Sequence, residues 1–171
     1  MKSELEKLYK LIENLEIAMM TTRRRDGHLE SRAMANQKPA AGADLWFVTS
    51  EDSAKLADLQ FDPHVNLSYY KDSSREWVSV SGIATISRDR AKIRELYAPD
   101  WKIWFGEEGD PRHGSADDPR MVLIGVEIHA AVFLEVNTPR PVVLYEMIKG
   151  WLTGEPAEIG EMHSVGSTAR S

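Results

Sequence analysis

The chain has 171 residues, with 21 Lys plus Arg against 27 Asp plus Glu and a formal net charge of −6. An acidic balance leaves no broad positive face for phosphate backbones, which excludes a dedicated nucleic-acid binder. There is no cysteine, so disulfides, thiolate nucleophiles, cysteine-ligated zinc and iron–sulfur clusters are excluded.

Ser3 to Leu15 reads as an amphipathic helix with Leu5, Leu8, Leu11, Ile12 and Leu15 on one face. Ser3 and Glu6 have the spacing of a capping box. Ile17 to Thr22 is expected as a strand, Arg25-Asp26-Gly27 as a hairpin turn, and His28 to Asn36 as the returning strand. Pro39 to Ala43 reads as a loop. Asp44 to Ser50 is an apolar run that fits a well-buried strand, followed by a helix over Ser53 to Phe61 capped by Asp52 or Ser50. His64 to Tyr70 and Glu76 to Ser87 alternate as strands do.

Asp89 to Tyr97 has helical spacing, and Pro99 to Pro119 is a loop-rich stretch with Trp101, Trp104 and Phe105. Every even position from Val122 to Val136 is apolar, which predicts one long strand with a constant inner face. A helix is expected from Pro141 to Gly154, and the tail from Glu155 to Ser171 has no periodicity. The whole is read as one domain over residues 1–160 with a tail at 161–171. Antiparallel strands joined by hairpins and short helices predict a small, mainly β barrel with peripheral helices.

The N-terminus is charged, so no signal peptide is expected. Apolar runs such as Ala130 to Leu134 fall far short of the ~20 residues that cross a bilayer as a helix. A soluble cytoplasmic protein is expected, with neither nucleic acid nor membrane as partner.

No P-loop, dinucleotide fingerprint, His-Glu-x-x-His or nucleophile elbow occurs. The histidines are scattered, so no metal site is expected. Glu107, Glu108, Asp110, Asp117 and Asp118 read as a solvated acidic loop, and Arg23-Arg24-Arg25 as a solvated turn. One constellation stands out. A strand ending at Ser50 runs into a helix start, where free N–H groups and a partial positive charge favour anions. Thr49 and Ser53 add hydroxyls there, Lys55 adds a full charge, and Arg32 on the neighbouring strand offers a forked guanidinium. This is a candidate phosphate cradle, beside the simpler reading of a capped helix with a surface lysine.

Phe47 to Lys55 resembles the FMN-phosphate segment of split-barrel flavoproteins related to pyridoxamine phosphate oxidase. Ser31 to Asn36 resembles their flavin-contacting strand. Leu45 to Ser50, Val78 to Gly82, Trp101 to Gly106, Tyr145-Glu146-Met147 and Leu152-Thr153-Gly154 are similar to the bacterial general-stress branch. The resemblance spans about Leu5 to Gly160. It implies a six-stranded antiparallel split barrel of Greek-key type and a homodimer with flavin sites at its interface. It implies FMN, with FAD or a deazaflavin as alternatives. Arg32, Thr49, Ser53 and Lys55 would hold the phosphate. Met34, Phe47 and Val48 would border the ring. Trp104, and with less support Trp101 or Trp77, would cover it from the partner chain.

The pattern departs from the oxidases at Gln37, where they carry a lysine, with Lys38 one step late, and at Ala54, where they carry a second basic residue. The resemblance implies a flavin-dependent oxidoreductase acting on a small molecule. The alternatives are an oxidase of B6 vitamer phosphates and a flavin-binding or interaction module without activity. No general acid or base is singled out; His64 and Glu76 stand only as examples of a lone charged residue near the site.

Overall fold

The computed structural model describes residues 3–105, 114–136, 149 and 160–166. The expected helix from Pro141 to Gly154 lies almost wholly outside these residues, as do Glu107, Glu108 and Asp110.

Helix α1 (Glu4–Leu15) begins with the full capping box: the Ser3 hydroxyl accepts from the Glu6 N–H, and the Glu6 carboxylate accepts from the Ser3 N–H. The box satisfies two otherwise orphaned donors. Ser3→Ala is expected to cost about 1 kcal/mol, and a thermal melt showing no loss would count against the cap. The helix buries Leu8, Leu11, Ile12 and Leu15 against the barrel. Leu5 stays largely exposed, which narrows the predicted stripe.

Strands β1 (Ile17–Arg23) and β2 (Leu29–Ala35) form the expected hairpin, its turn closed by Gly27 at φ +87°. Then follow β3 (Leu45–Ser50), helix α2 (Ala54–Phe61), β4 (His64–Tyr70), β5 (Trp77–Ser87), helix α3 (Arg90–Leu96), a 3-10 helix over Pro99–Trp104, and β6 (Met121–Glu135). All strand pairings are antiparallel, in the order β2-β1-β4-β5-β6-β3. These six strands are the predicted barrel. Its two end strands, β2 and β3, meet where the Gln37 N–H donates to the Trp46 carbonyl at 2.8 Å. Among the described residues no ladder joins the rest of these two strands, so the barrel has a seam.

A seventh strand, β7 (Glu161–Gly166), pairs with β6 from Ala130 to Glu135. The tail reading missed it because a histidine, His163, fills one inward position and an apolar residue, Met162, an outward one, so the sequence shows no apolar alternation. Val165 packs against the barrel core, and His163 stacks on Phe133 at 5.0 Å and pairs with Glu4 at 2.6 Å.

The long strand β6 departs from its predicted constant inner face. Its register with β5 shifts between Ser81 and Gly82, where Ser81 faces Ala130 and Gly82 faces Ile128. His129 is the extra residue of a β-bulge, and a bulge reverses which residues point inward. Val122, Ile124 and Val126 are buried before it; Ala131 and Phe133 are buried after it. A side chain at Gly82 has no room, since a Cβ there would lie 2.3 Å from the Glu127 carbonyl oxygen.

The outer side of β3 is also covered. On that side Trp46 packs with Ile93, Leu96, Trp101, Phe105, Met121 and Leu123, a second small core built by α3 and the 3-10 helix. Its polar fastening is Asp118. This residue was read as part of a solvated acidic loop, yet its side chain is fully buried. It accepts from the N–H groups of Gly114 (3.0 Å) and Arg120 (2.9 Å) and from the Arg120 guanidinium (2.7 and 3.0 Å). Arg120 in turn donates to the Phe105 carbonyl. Asp117 is exposed and pairs with Arg94 at 2.6 Å. Arg23 to Arg25 are exposed, as a solvated turn requires.

Candidate functional site

A cleft of about 280 Å³ lies along the seam. One wall is β2 at Ala33, Met34 and Ala35; the other is β3 at Val48, Thr49 and Ser50. Ser53 and Lys55 at the start of α2 close one end. Asp100, Trp101, Trp104 and Phe105 of the 3-10 segment stand over it, and Gln37 lines it where the seam closes.

At the α2 end the expected cradle is assembled. Ser53 is the N-cap, not Asp52 or Ser50, and its hydroxyl makes no capping bond to the helix. The hydroxyl instead accepts from the Lys55 ammonium at 2.6 Å, and Thr49 Oγ1 accepts from the same ammonium at 2.8 Å. Lys55 is buried, and among the described residues no carboxylate pairs with it. Burial pushes its pKa below the ordinary lysine value, and the positive charge of nearby Arg32 pushes it further down. A buried ammonium met only by hydroxyls and a second cation calls for an anion. The uncapped helix start beside it favours the same charge. The lysine is therefore a cradle residue and not the surface lysine of the simpler reading.

Arg32 is placed differently from its expected role. It does not line the cleft. Its guanidinium donates to Asp58 at 3.1 Å and Thr22 at 2.8 Å, and pairs with Glu30 at 2.9 Å. Thr22, buried on β1, also donates to Asp58 at 3.0 Å. The forked donor is thus largely engaged by carboxylates behind Lys55. The sequence showed the arginine but not Asp58, which sits one helical turn beyond Lys55 on α2 and escapes a reading made strand by strand.

Met34 and Val48 border the cleft as expected. Phe47, the intervening residue of β3, is fully buried and turns into the barrel core, so its side chain does not reach the cleft. The strand period of two dictates this once Val48 faces the cleft. Trp104 lines the cleft and is 72% exposed. Trp101 is 1% exposed, meets Tyr97 edge-on at 5.6 Å, and donates its indole N–H to Gln37 Oε1 at 2.7 Å. It is an anchor of the 3-10 segment more than a free cover. Trp77, His64 and Glu76 do not line the cleft; His64 pairs with Asp62 at 2.7 Å.

Of the residues around the cleft, sequence reasoning passed over Asp100 and saw in Gln37 only a missing lysine. Ala33, Ala35 and Ser50 also went unassigned, although they fall within the quoted motifs. Among the described residues, no helix is long and apolar enough to cross a membrane.

The surroundings of this chain agree with its geometry. The family model described as pyridoxamine 5'-phosphate oxidase like matches residues 3–158. Protein bli-3 of Neurospora crassa is 37% identical over 154 residues, covering 88% of this chain and 73% of that protein. A protein of Jannaschia sp. CCS1, described as a candidate general stress protein 26, shares the fold with a TM-score of 0.73 at 20% identity, over 95% of this chain and 98% of that one. The general stress FMN/FAD binding protein of Xanthomonas citri is 26% identical with a TM-score of 0.59, over 74% of this chain and 84% of that one. With the seam, the cradle and the strand order in place, these matches lead to one statement of kinship: the chain is a split barrel that belongs to the pyridoxamine 5'-phosphate oxidase-like family.

Proposed function

We propose that the seam cleft binds a flavin mononucleotide and that the protein is a flavin-dependent oxidoreductase acting on a small molecule. The observation that carries the reading is Lys55, a buried ammonium with two hydroxyl partners and, among the described residues, no carboxylate, at an uncapped helix start. The phosphate would be held by Lys55, Thr49, Ser53 and the first N–H groups of α2, with Arg32 acting from behind through its charge. The ring would lie between the β2 edge at Met34 and the β3 edge at Val48, under Trp104. When bound, the flavin supplies the electron chemistry, and the chain supplies binding, orientation and shielding from water. The Xanthomonas citri relative is described as binding FMN or FAD, which supports the same ligand class here.

The active unit in this reading is a homodimer in the cytoplasm. Ile103 and Trp104 are 73% and 72% exposed beside the cleft, and Ile17, Met19 and Leu29 are exposed on the β1–β2 face. Exposed apolar side chains of this size at a site suit a second copy that completes the cover.

A second reading, a flavin-holding module without turnover, is favoured by one observation. Among the described residues lining the cleft, only Lys55 and Asp100 are ionisable, and Lys55 is committed to the anion end. One experiment separates the two. The purified protein should retain FMN after washing, with absorbance bands at about 370 and 450 nm. Anaerobic mixing with a reduced nicotinamide should then bleach the 450 nm band within seconds. Retention without bleaching would leave the module reading, and no retention would overturn both. Hydrogen peroxide released on adding pyridoxamine phosphate would identify the oxidase alternative.

A further inference from the structure

Gln37 sits where the seam, the cleft and the aromatic segment meet, and its backbone N–H and both ends of its side-chain amide are hydrogen-bonded. Its backbone N–H donates to the Trp46 carbonyl, which joins the β2 end to β3. Its Nε2 donates to the Ala35 carbonyl at 3.0 Å, on the unladdered edge of β2. Its Oε1 accepts the indole N–H of buried Trp101 at 2.7 Å. Trp101 belongs to the 3-10 helix that also carries Asp100 and Trp104 to the cleft.

We propose that Gln37 is the positioning residue of the cleft: by accepting from Trp101 it fixes the 3-10 segment, and hence Trp104, over the flavin site. The inference rests on the flavin reading for its consequence, but its geometry stands apart from it. An indole N–H can only donate, and a lysine offers no acceptor. Gln37 therefore answers Trp101 in a way that a lysine at this position could not. Without an acceptor at position 37, the Trp101 N–H is buried and unsatisfied, a state the segment escapes by lifting away from β2. Among the described residues, the neighbouring hydrogen bonds of Tyr97 to the Gly114 carbonyl at 3.0 Å and of Arg120 to the Phe105 carbonyl lie away from β2.

The test uses the full-length protein with Gln37→Met, which keeps length and loses the acceptor, and Gln37→Glu, which keeps an acceptor oxygen. The first readout is hydrogen exchange at the Trp101 indole ¹H–¹⁵N resonance, assigned by its disappearance in Trp101→Phe and measured without flavin. Protection is expected in the wild type and in Gln37→Glu, and a loss of at least tenfold in Gln37→Met. Equal protection in wild type and Gln37→Met overturns the proposal. The second readout is FMN affinity, expected to fall about tenfold in Gln37→Met while the melting curve shows a folded protein; unchanged affinity with lost protection also overturns the claim that the bond positions the site. A wild type that binds no FMN refutes the flavin reading instead, and the indole exchange then decides the positioning of Trp101 by itself.

Discussion

Lys55→Met should weaken FMN binding by about 100-fold, because it removes a charge-assisted contact in a desolvated site. The same change should leave the flavin-free protein at least as stable as the wild type. A buried ammonium without an anion is a cost to the empty fold, and an apolar side chain of similar volume removes it. Loss of binding with an unchanged or higher melting temperature is the signature of a residue kept for its ligand. Arg32→Ala, by contrast, should cost less than tenfold, since its guanidinium is engaged by Asp58 and Glu30 outside the cleft.

Fluorescence titration with FMN and melts without it give both numbers, and equal effects of the two variants would sink the assignment. The pH dependence has a definite sign. Burial, and then Arg32, hold the Lys55 pKa below 10.5. The empty protein carries the charge penalty below that lowered value and sheds it as pH rises through it. FMN affinity should fall over the same alkaline window, starting below the ordinary lysine range, and in Lys55→Met that decline should be absent.

Asp118→Ala should lower stability by about 3 kcal/mol, the scale for removing a buried carboxylate that serves several donors. For a domain of this size that is roughly 6–12 °C in melting temperature. The loss reaches the cleft, because Asp118 orients Arg120, and Arg120 holds the carbonyl of cleft-lining Phe105. FMN affinity should therefore drop as well. Burial pushes the Asp118 carboxyl up, but the bonds from Arg120 and from the Arg120 and Gly114 amides outweigh it and leave the pKa below its usual value. A carboxyl held low in the folded state stabilises above its unfolded pKa, and that contribution is lost as pH falls through the lowered value. Wild type and Asp118→Ala should thus converge in stability in strong acid. Differential scanning calorimetry from pH 7 to pH 2 tests this, and a constant gap would refute it.

What the sequence revealed follows from where local rules act alone. Val65, Leu67 and Tyr69 alternate on β4 because nothing interrupts that ladder. The Ser3–Glu6 cap needs only its own four residues. The cradle was legible because Thr49, Ser53 and Lys55 are neighbours in the chain and their bonds span at most six positions. What stayed hidden is non-local. Arg32 meets Asp58 across 26 positions and Trp101 meets Gln37 across 64. The burial of Asp118 depends on Phe105 and Arg120 folding around it. Strand β7 exists because β6 offers it a ladder, not because its own residues favour one.

The bulge at His129 divides β6 into two stretches with opposite rules of substitution. Upstream, even-numbered residues answer to the barrel core; downstream, odd-numbered ones do. Point changes in either half are judged only by their own neighbours, so each half is free to drift. Chain length at this spot is free in one direction. His129, itself half-exposed, is the extra residue, so its loss would join Ile128 to Ala130 in one regular ladder and leave Ala131 and Phe133 facing the core, whereas loss of a ladder residue on either side would slip the register and exchange the two faces. A solvent-facing histidine with no chemical duty is in this way a residue the strand can drop without turning its neighbours over.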